Sequence, residues 1–265
     1  MPEALLLRGD ARVAAGSEYK ALYDYEEIIK LYPGSEQFVI ALERELEIGI
    51  RYLSGLRRKF LGLRIDPANS TGEELLVRVQ ERLPGSRLAE RAGLELANYY
   101  YRRSEMRQAA EAYEIFLVNF PGSEHRKFAM ERRIKANIAR FKGPRYDATG
   151  LIEARLLTEE FIELYPADAE RAGLNDALLP WLDEAAASQV LESARWYFRR
   201  GDFPAARFTL RRLLRKHGGT AAATEALRIM HERGWIEPTP TPPTPPDTAP
   251  SDTPADTATP PGSTP

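Results

Sequence analysis

The chain has 265 residues, with 37 Lys and Arg against 39 Asp and Glu, three His and no Cys. Without cysteine, disulfides, thiol catalysis, cysteine-ligated zinc and a lipid-modified cysteine are excluded within it. All 37 cations precede Glu237 and four acids lie from that residue on, so the first 236 residues carry 37 cations against 35 acids, a net +2. That balance argues against a nucleic-acid partner, whose binders carry a clear basic excess.

No apolar run approaches the ~20 residues of a membrane span, so membrane contact is expected only peripherally or through partners. Leu5-Leu6-Leu7 is too short for a signal-peptide core.

Glu3 to Ala15 and Ser17 to Tyr32 read as two helices of a first hairpin, ended by Pro33-Gly34. A long helix comes next, to about Arg58, with Phe38, Ala41, Leu42, Leu46, Ile50 and Leu53 as its buried stripe. Leu56 to Arg64 is basic and amphipathic and is expected to be the end of that helix, its cations favoured by the helix dipole. Asp66 to Thr71 reads as a loop. Gly72 to Leu83 is the partner helix, and Pro84-Gly85-Ser86 stops it and caps the next.

Arg87 to Glu124 is the clearest unit. Ala89, Ala92, Leu96, Ala97 and Tyr100 share one face of its first helix. Ala109, Ala110, Tyr113, Phe116 and Leu117 share one face of its second. Small residues at the crossing let the helices approach while aromatic rings fill the sides. Leu96, Ala97, Tyr100, Ala109, Tyr113 and Pro121 supply the six spaced positions of a tetratricopeptide repeat. Gly9, Ala21, Tyr25 and Pro33 take the corresponding places in the first hairpin.

Arg126 to Lys142 and Leu151 to Tyr165 form a fourth pair, closed by Pro166. Gly173 to Gly201 reads as one long helix, kinked by Pro180 or begun near Leu178. Phe203 to Lys216 is its partner, and Thr220 to Arg233 is a cap. The breaks at Pro33, Pro84, Pro121, Pro166 and Gly218 are 51, 37, 45 and 52 residues apart, against ~34 in a regular array. The fold class expected is therefore all-α, a tetratricopeptide-type superhelix of about five irregular hairpins over residues 1–236. Residues 237–265 are rich in Pro and Thr and have only alanines as apolar side chains. They are expected to be a disordered spacer, partly polyproline II.

This uneven set of five hairpins, with Tyr-Pro or Phe-Pro and then Gly-Ser at its breaks, resembles the BamD (YfiO) family of tetratricopeptide outer-membrane assembly lipoproteins. Tyr197, Arg200-Gly201-Asp202-Phe203 and Ala205-Ala206 look like that family's last repeat, and Tyr146-Asp147 is similar to the start of its fourth. The Tol-Pal coordinator YbgF shares the Tyr-Pro-x-Ser break. The resemblance implies a non-enzymatic scaffold at the periplasmic face of the outer membrane. Its partners would be β-barrel assembly subunits and unfolded outer-membrane proteins. A general repeat adaptor of the envelope or the cytosol is the alternative. Two features depart from the family: it is anchored through an N-terminal lipidated cysteine, which this sequence lacks, and the Thr/Pro tail is not part of its pattern.

Catalysis lacks material. His125, His217 and His231 lie in different repeats without ligand spacing, and no phosphate loop or nucleophile elbow occurs. No cofactor is expected. The candidate surface is the groove of the first helices, with Arg91, Leu94, Asn98, Tyr101 and Arg102 facing it in the central repeat. Asn98 and Arg102 match part of a carboxylate clamp, but Leu94 stands where a cation is needed. An aromatic-and-arginine groove for an extended peptide fits better. Of Tyr99, Tyr100 and Tyr101, at least one is expected to be exposed.

Overall fold

The computed structural model describes residues 1–60 and 63–236; the tail expected to be a spacer lies outside the described residues. The helices are α1 (Pro2–Ala14), α2 (Glu18–Leu31), α3 (Glu36–Leu53), α4 (Asn69–Arg82), α5 (Arg87–Arg102) and α6 (Met106–Asn119). They continue with α7 (Arg126–Ala139), α8 (Thr149–Leu164), α9 (Pro166–Ala172), α10 (Leu178–Arg199), α11 (Phe203–Lys216) and α12 (Ala221–Glu232). Five antiparallel pairs form: α1 with α2, α3 with α4, α5 with α6, α7 with α8, and α10 with α11. Each second helix packs on the next first helix, and α12 closes the stack against α10 and α11. The first helices α1, α3 and α5 touch in turn, and α10 touches the closing α12, which sets them along one side, the inner side, of the array.

The corners repeat one backbone geometry. Tyr32, Leu83, Phe120, Tyr165 and His217 end their helices with φ between −129° and −139° and ψ between 37° and 62°. Four of the five precede proline, whose ring disfavours a helical conformation in the residue before it. His217 precedes Gly218 and adopts the same geometry. At three corners a hydroxyl then donates back to that residue's carbonyl: Ser35 to Tyr32 at 2.8 Å, Ser86 to Leu83 at 2.7 Å and Thr220 to His217 at 2.7 Å. The hydroxyls of Ser86 and Thr220 also accept the amides of Ala89 and Ala223, capping α5 and α12. Gly218-Gly219-Thr220 is thus the equivalent of Pro-Gly-Ser.

Close helix crossings depend on glycine. A Cβ at Gly9 would lie 2.5 Å from the Tyr25 ring, and one at Gly150 would lie 2.7 Å from the Asn137 carbonyl oxygen. Gly49 and Gly72 face each other, and a Cβ on Gly72 would sit 2.9 Å from the Gly49 oxygen. The buried residues form three successive cores that meet on shared helices. Tyr99 belongs to the first and Ala97 to the second, with Tyr100 touching both; Ala186 ends the second and Ala187 starts the third. One interior therefore runs the length of the array.

Three expectations need correction. The helix begun at Glu36 stops at Leu53, because Gly55 takes φ +101°, a left-handed value that ends a helix. The basic segment after it is no helix end: β1 (Arg58–Phe60) and β2 (Leu63–Asp66) pair antiparallel, Arg58 opposite Asp66 and Phe60 opposite Leu63, with a bulge after Arg58. This ribbon is an insertion between α3 and α4 and leaves the helix stack intact. The loop expected to Thr71 is shorter, because α4 starts at Asn69. Gly173–Gly201 holds one long helix, begun at Leu178, the second of the two expected starts, with Pro180 in the first turn of α10, where its missing N–H leaves no acceptor unpaired. The short α9 before it was not expected, and Gly173 ends it at φ +69°.

Candidate functional site

The inner wall is built from α5, α7 and α10. On α5 the five predicted residues share one face but differ in environment. Asn98 is engaged from below: the Tyr113 hydroxyl of α6 donates to its Oδ1 at 2.7 Å. Burial pushes the Tyr113 phenol up from its ordinary value, so it stays a donor. Tyr101 packs edge-on against Tyr113 with centroids 6.4 Å apart, and Arg132 of α7 lies 4.6 Å over its ring. Arg132 also covers Phe128 at 5.2 Å. Leu94 is half-buried against the second core. Arg91 and Arg102 are exposed. Arg91 opens on a 470 Å³ cleft with Arg87, Glu90 and the Gly122–His125 corner.

None of the three consecutive tyrosines is exposed, against expectation. Tyr99 is 3% exposed, and Tyr100 and Tyr101 are half-buried. α5 is surrounded by α3, α4, α6 and Arg132, so even its flank is covered. The Tyr100 hydroxyl donates to Glu73 of α4 at 3.0 Å.

A larger opening than the cleft beside Arg91 lies elsewhere. A 670 Å³ groove runs between the Pro144–Arg145 turn and the second half of α10, lined by Gln189, Glu192, Ser193, Trp196, Tyr197 and Arg199. In repeat register Ala194-Arg-Trp-Tyr-Phe-Arg matches Ala97-Asn-Tyr-Tyr-Tyr-Arg, which puts Trp196 at the place of Tyr99 and Arg199 at that of Arg102. Yet Trp196 is 43% exposed. The first half of α10 is tied to α8 through Arg155 and Asp183 at 3.5 Å. The second half packs on α11 and α12 with Leu191 and Ala194, but on the groove side it faces the Pro144–Arg145 turn, and its aromatic row opens to solvent there. Arg200 stacks over Trp196 at 4.4 Å, and Tyr197 meets Trp196 edge-on at 5.0 Å. Glu192 binds Arg199 at 3.2 Å. Such a row offers apolar area, ring faces and paired charges at once, the composition that anchors protein interfaces. The echo of the central repeat was the signal in the sequence; what it lacked was the missing cover on α10.

His217 serves structure. His217 Nδ1 lies 2.8 Å from Asp183 Oδ1, joining α11's end to α10. His125 sits at a corner beside Glu124. Among the described residues no group of His, Asp or Glu is placed to hold a metal. No described helix is long and apolar enough to cross a membrane.

Comparison with protein families agrees with this geometry. Residues 3–35, the first hairpin with its corner, match a tetratricopeptide repeat model. Residues 69–234 match the model described as YfiO, outer membrane lipoprotein. A search of curated proteins finds no match. With more than half of its length covered by that model, this five-hairpin chain belongs to the YfiO outer membrane lipoprotein family.

Proposed function

We propose that the chain is a non-enzymatic scaffold of the machinery that assembles outer-membrane β-barrel proteins, at the periplasmic face of the outer membrane. It binds partner subunits and unfolded substrate segments along its first helices. The observation that carries this is the aromatic–arginine row at the end of α10, with Trp196, Arg199 and Arg200 exposed and Tyr197 half-buried beside them, within the stretch matched by the family model. An extended strand laid there stacks on rings and offers its backbone to Gln189, Ser193 and Arg145. The α5 face (Arg91, Leu94, Asn98, Tyr101 and Arg102) extends the same wall, and Asn98 keeps its Nδ2 donor for a ligand.

The first hairpin matches only the general repeat model, which supports a second reading as a repeat adaptor of the Tol-Pal coordinator type or a cytosolic assembly factor. Affinity capture of the tagged full chain, after fractionation, tests the choice. The proposal expects the chain in the envelope fraction with β-barrel assembly components, and their loss with Trp196→Ala. Finding it only in cytosol, with none of these partners, rejects the proposal.

A further inference from the structure

Charge is unevenly spread along the array. Residues 178–236 carry ten Lys and Arg against six acids, whereas residues 1–177 carry 27 against 29. The six acids are all engaged. Asp183 meets His217 and Arg155, Glu184 the first amides of α12, and Glu192 Arg199. Asp202 accepts the Ala205 amide, and Glu225 and Glu232 hold Arg228. α11 itself has five cations, Arg207, Arg211, Arg212, Arg215 and Lys216, and no acid. Arg207 Nη2 donates to the Trp235 carbonyl at 3.2 Å. No described acid pairs with any of the other four.

The packing of α11 fixes what it turns outward. It buries Ala206, Thr209, Leu210 and Leu213 against the last core. As the second helix of its hairpin it lies on the outer side of the array. At 3.6 residues per turn Pro204, Phe208, Arg211 and Arg215 fall within about 60° of arc on the free face, with Arg212 on its flank. Phe208 is 63% exposed and Phe203 45%. An apolar ring thus stands in water among guanidinium groups that repel one another. A bilayer with anionic headgroups relieves both costs at once: its phosphates draw the cations, and its interfacial layer takes the ring. An acidic protein surface would answer the charges but would cover Phe208 with polar groups. The chain belongs to a family described as outer membrane lipoproteins, so a lipid surface is within its reach.

We infer that the outer face of α11 docks on an anionic phospholipid surface, with Arg211, Arg212 and Arg215 on headgroup phosphates and Phe208 between them at the depth of the glycerol groups. The inference rests on α11 and on family membership, and it does not depend on the polypeptide partners proposed for the α10 groove.

Vesicle co-sedimentation of the full chain tests this. The chain is net −2, so attraction to anionic vesicles reports a local face and not bulk charge. Vesicles of equal phosphatidylglycerol and phosphatidylcholine should sediment it at about 0.1 M salt and release it near 0.5 M, and pure phosphatidylcholine should leave it in solution. Each cation at such a surface is worth about fivefold in affinity. Arg211→Glu with Arg215→Glu should therefore weaken binding by about 25-fold or more with the melting temperature unchanged. Lys20→Glu with Lys142→Glu, an equal change of charge at exposed sites elsewhere, should stay within about twofold. The chain has no cysteine, so Phe208→Cys carries a single environment-sensitive dye. Its emission should rise on the anionic vesicles, and that of Val118→Cys on α6 should not. Equal sedimentation by phosphatidylcholine alone, or binding that the α11 variant leaves unchanged, would overturn the inference. So would a dye at position 208 that responds to polyglutamate but not to the vesicles, which would make the face a protein site.

Discussion

Glu45 of α3 offers a quantitative test of how the first two hairpins are joined. Its side chain is 1% exposed, with Oε2 3.2 Å from Nη1 of Arg82 on α4. The same guanidinium binds Glu26 of α2 at 2.7 Å, so one cation serves two carboxyl groups. Burial pushes Glu26 up, but Arg82 and Lys30 outweigh it and hold the group at about 2. Burial pushes Glu45 up to about 8 against the pull of Arg82, and the Glu26 charge adds to the rise. Unfolded, Glu45 titrates near the ordinary 4.5. Between these two values the folded state binds more protons, so stability falls as pH rises. Glu45's favourable contribution is fully present below pH 4.5 and gone above pH 8. At ~1.4 kcal/mol per pH unit, full separation amounts to about 5 kcal/mol. Water reaching the 240 Å³ cleft beside Glu45 reduces this to about 2–3 kcal/mol. Glu45→Gln mimics the protonated acid at all pH values. It should therefore match the parent protein at about pH 5 and exceed it by about 2–3 kcal/mol at about pH 8, roughly 5–10 °C in Tm. Thermal melts of both proteins across that range read the difference. Parallel curves, or a variant less stable than its parent at the alkaline end, would refute a buried neutral Glu45.

Gly150→Ala should lower stability by about 1–3 kcal/mol, because its Cβ meets the Asn137 carbonyl; Gly34→Ala, with nothing within 4 Å, should stay within about 0.5 kcal/mol in urea unfolding. Glu184 of α10 accepts the Ala221 and Ala222 amides at 2.6 and 3.1 Å. Glu184→Ala should cost about 1–2 kcal/mol and raise amide exchange in the first turn of α12 above that of α11. Tyr113→Phe removes the bond to Asn98 and should lower stability by about 1 kcal/mol in thermal melts.

Much of the helix stack was legible because each corner carries its own chemistry. Proline after an aromatic or leucine fixed four stops, and the hydroxyl of Ser35, Ser86 or Thr220 marked the start of the next helix. The limits of α11 were readable from Asp202, whose carboxylate accepts the Ala205 amide at 3.0 Å, and from Gly218. The ribbon after α3 was hidden because Leu56 to Arg64 fits a cationic helix end as well as a strand pair, and only the φ of Gly55 decides. α9 was hidden because Pro166 reads as a stop while also starting a short helix. At the candidate surface, residue types were readable but cover was not. Tyr99 and Trp196 hold the same repeat position, and only their neighbours bury one and expose the other.

The proposed role of the inner wall is to hold polypeptide partners of outer-membrane assembly. A photo-crosslinking amino acid in place of Trp196, in the full chain in living cells, tests it most directly, with the exposed Val118 of α6 as the control position. Crosslinks are expected from the Trp196 position to β-barrel assembly subunits or unfolded outer-membrane proteins, and none of these from the Val118 position. Crosslinks from the Val118 position alone, or from the Trp196 position only to cytosolic proteins, would contradict it.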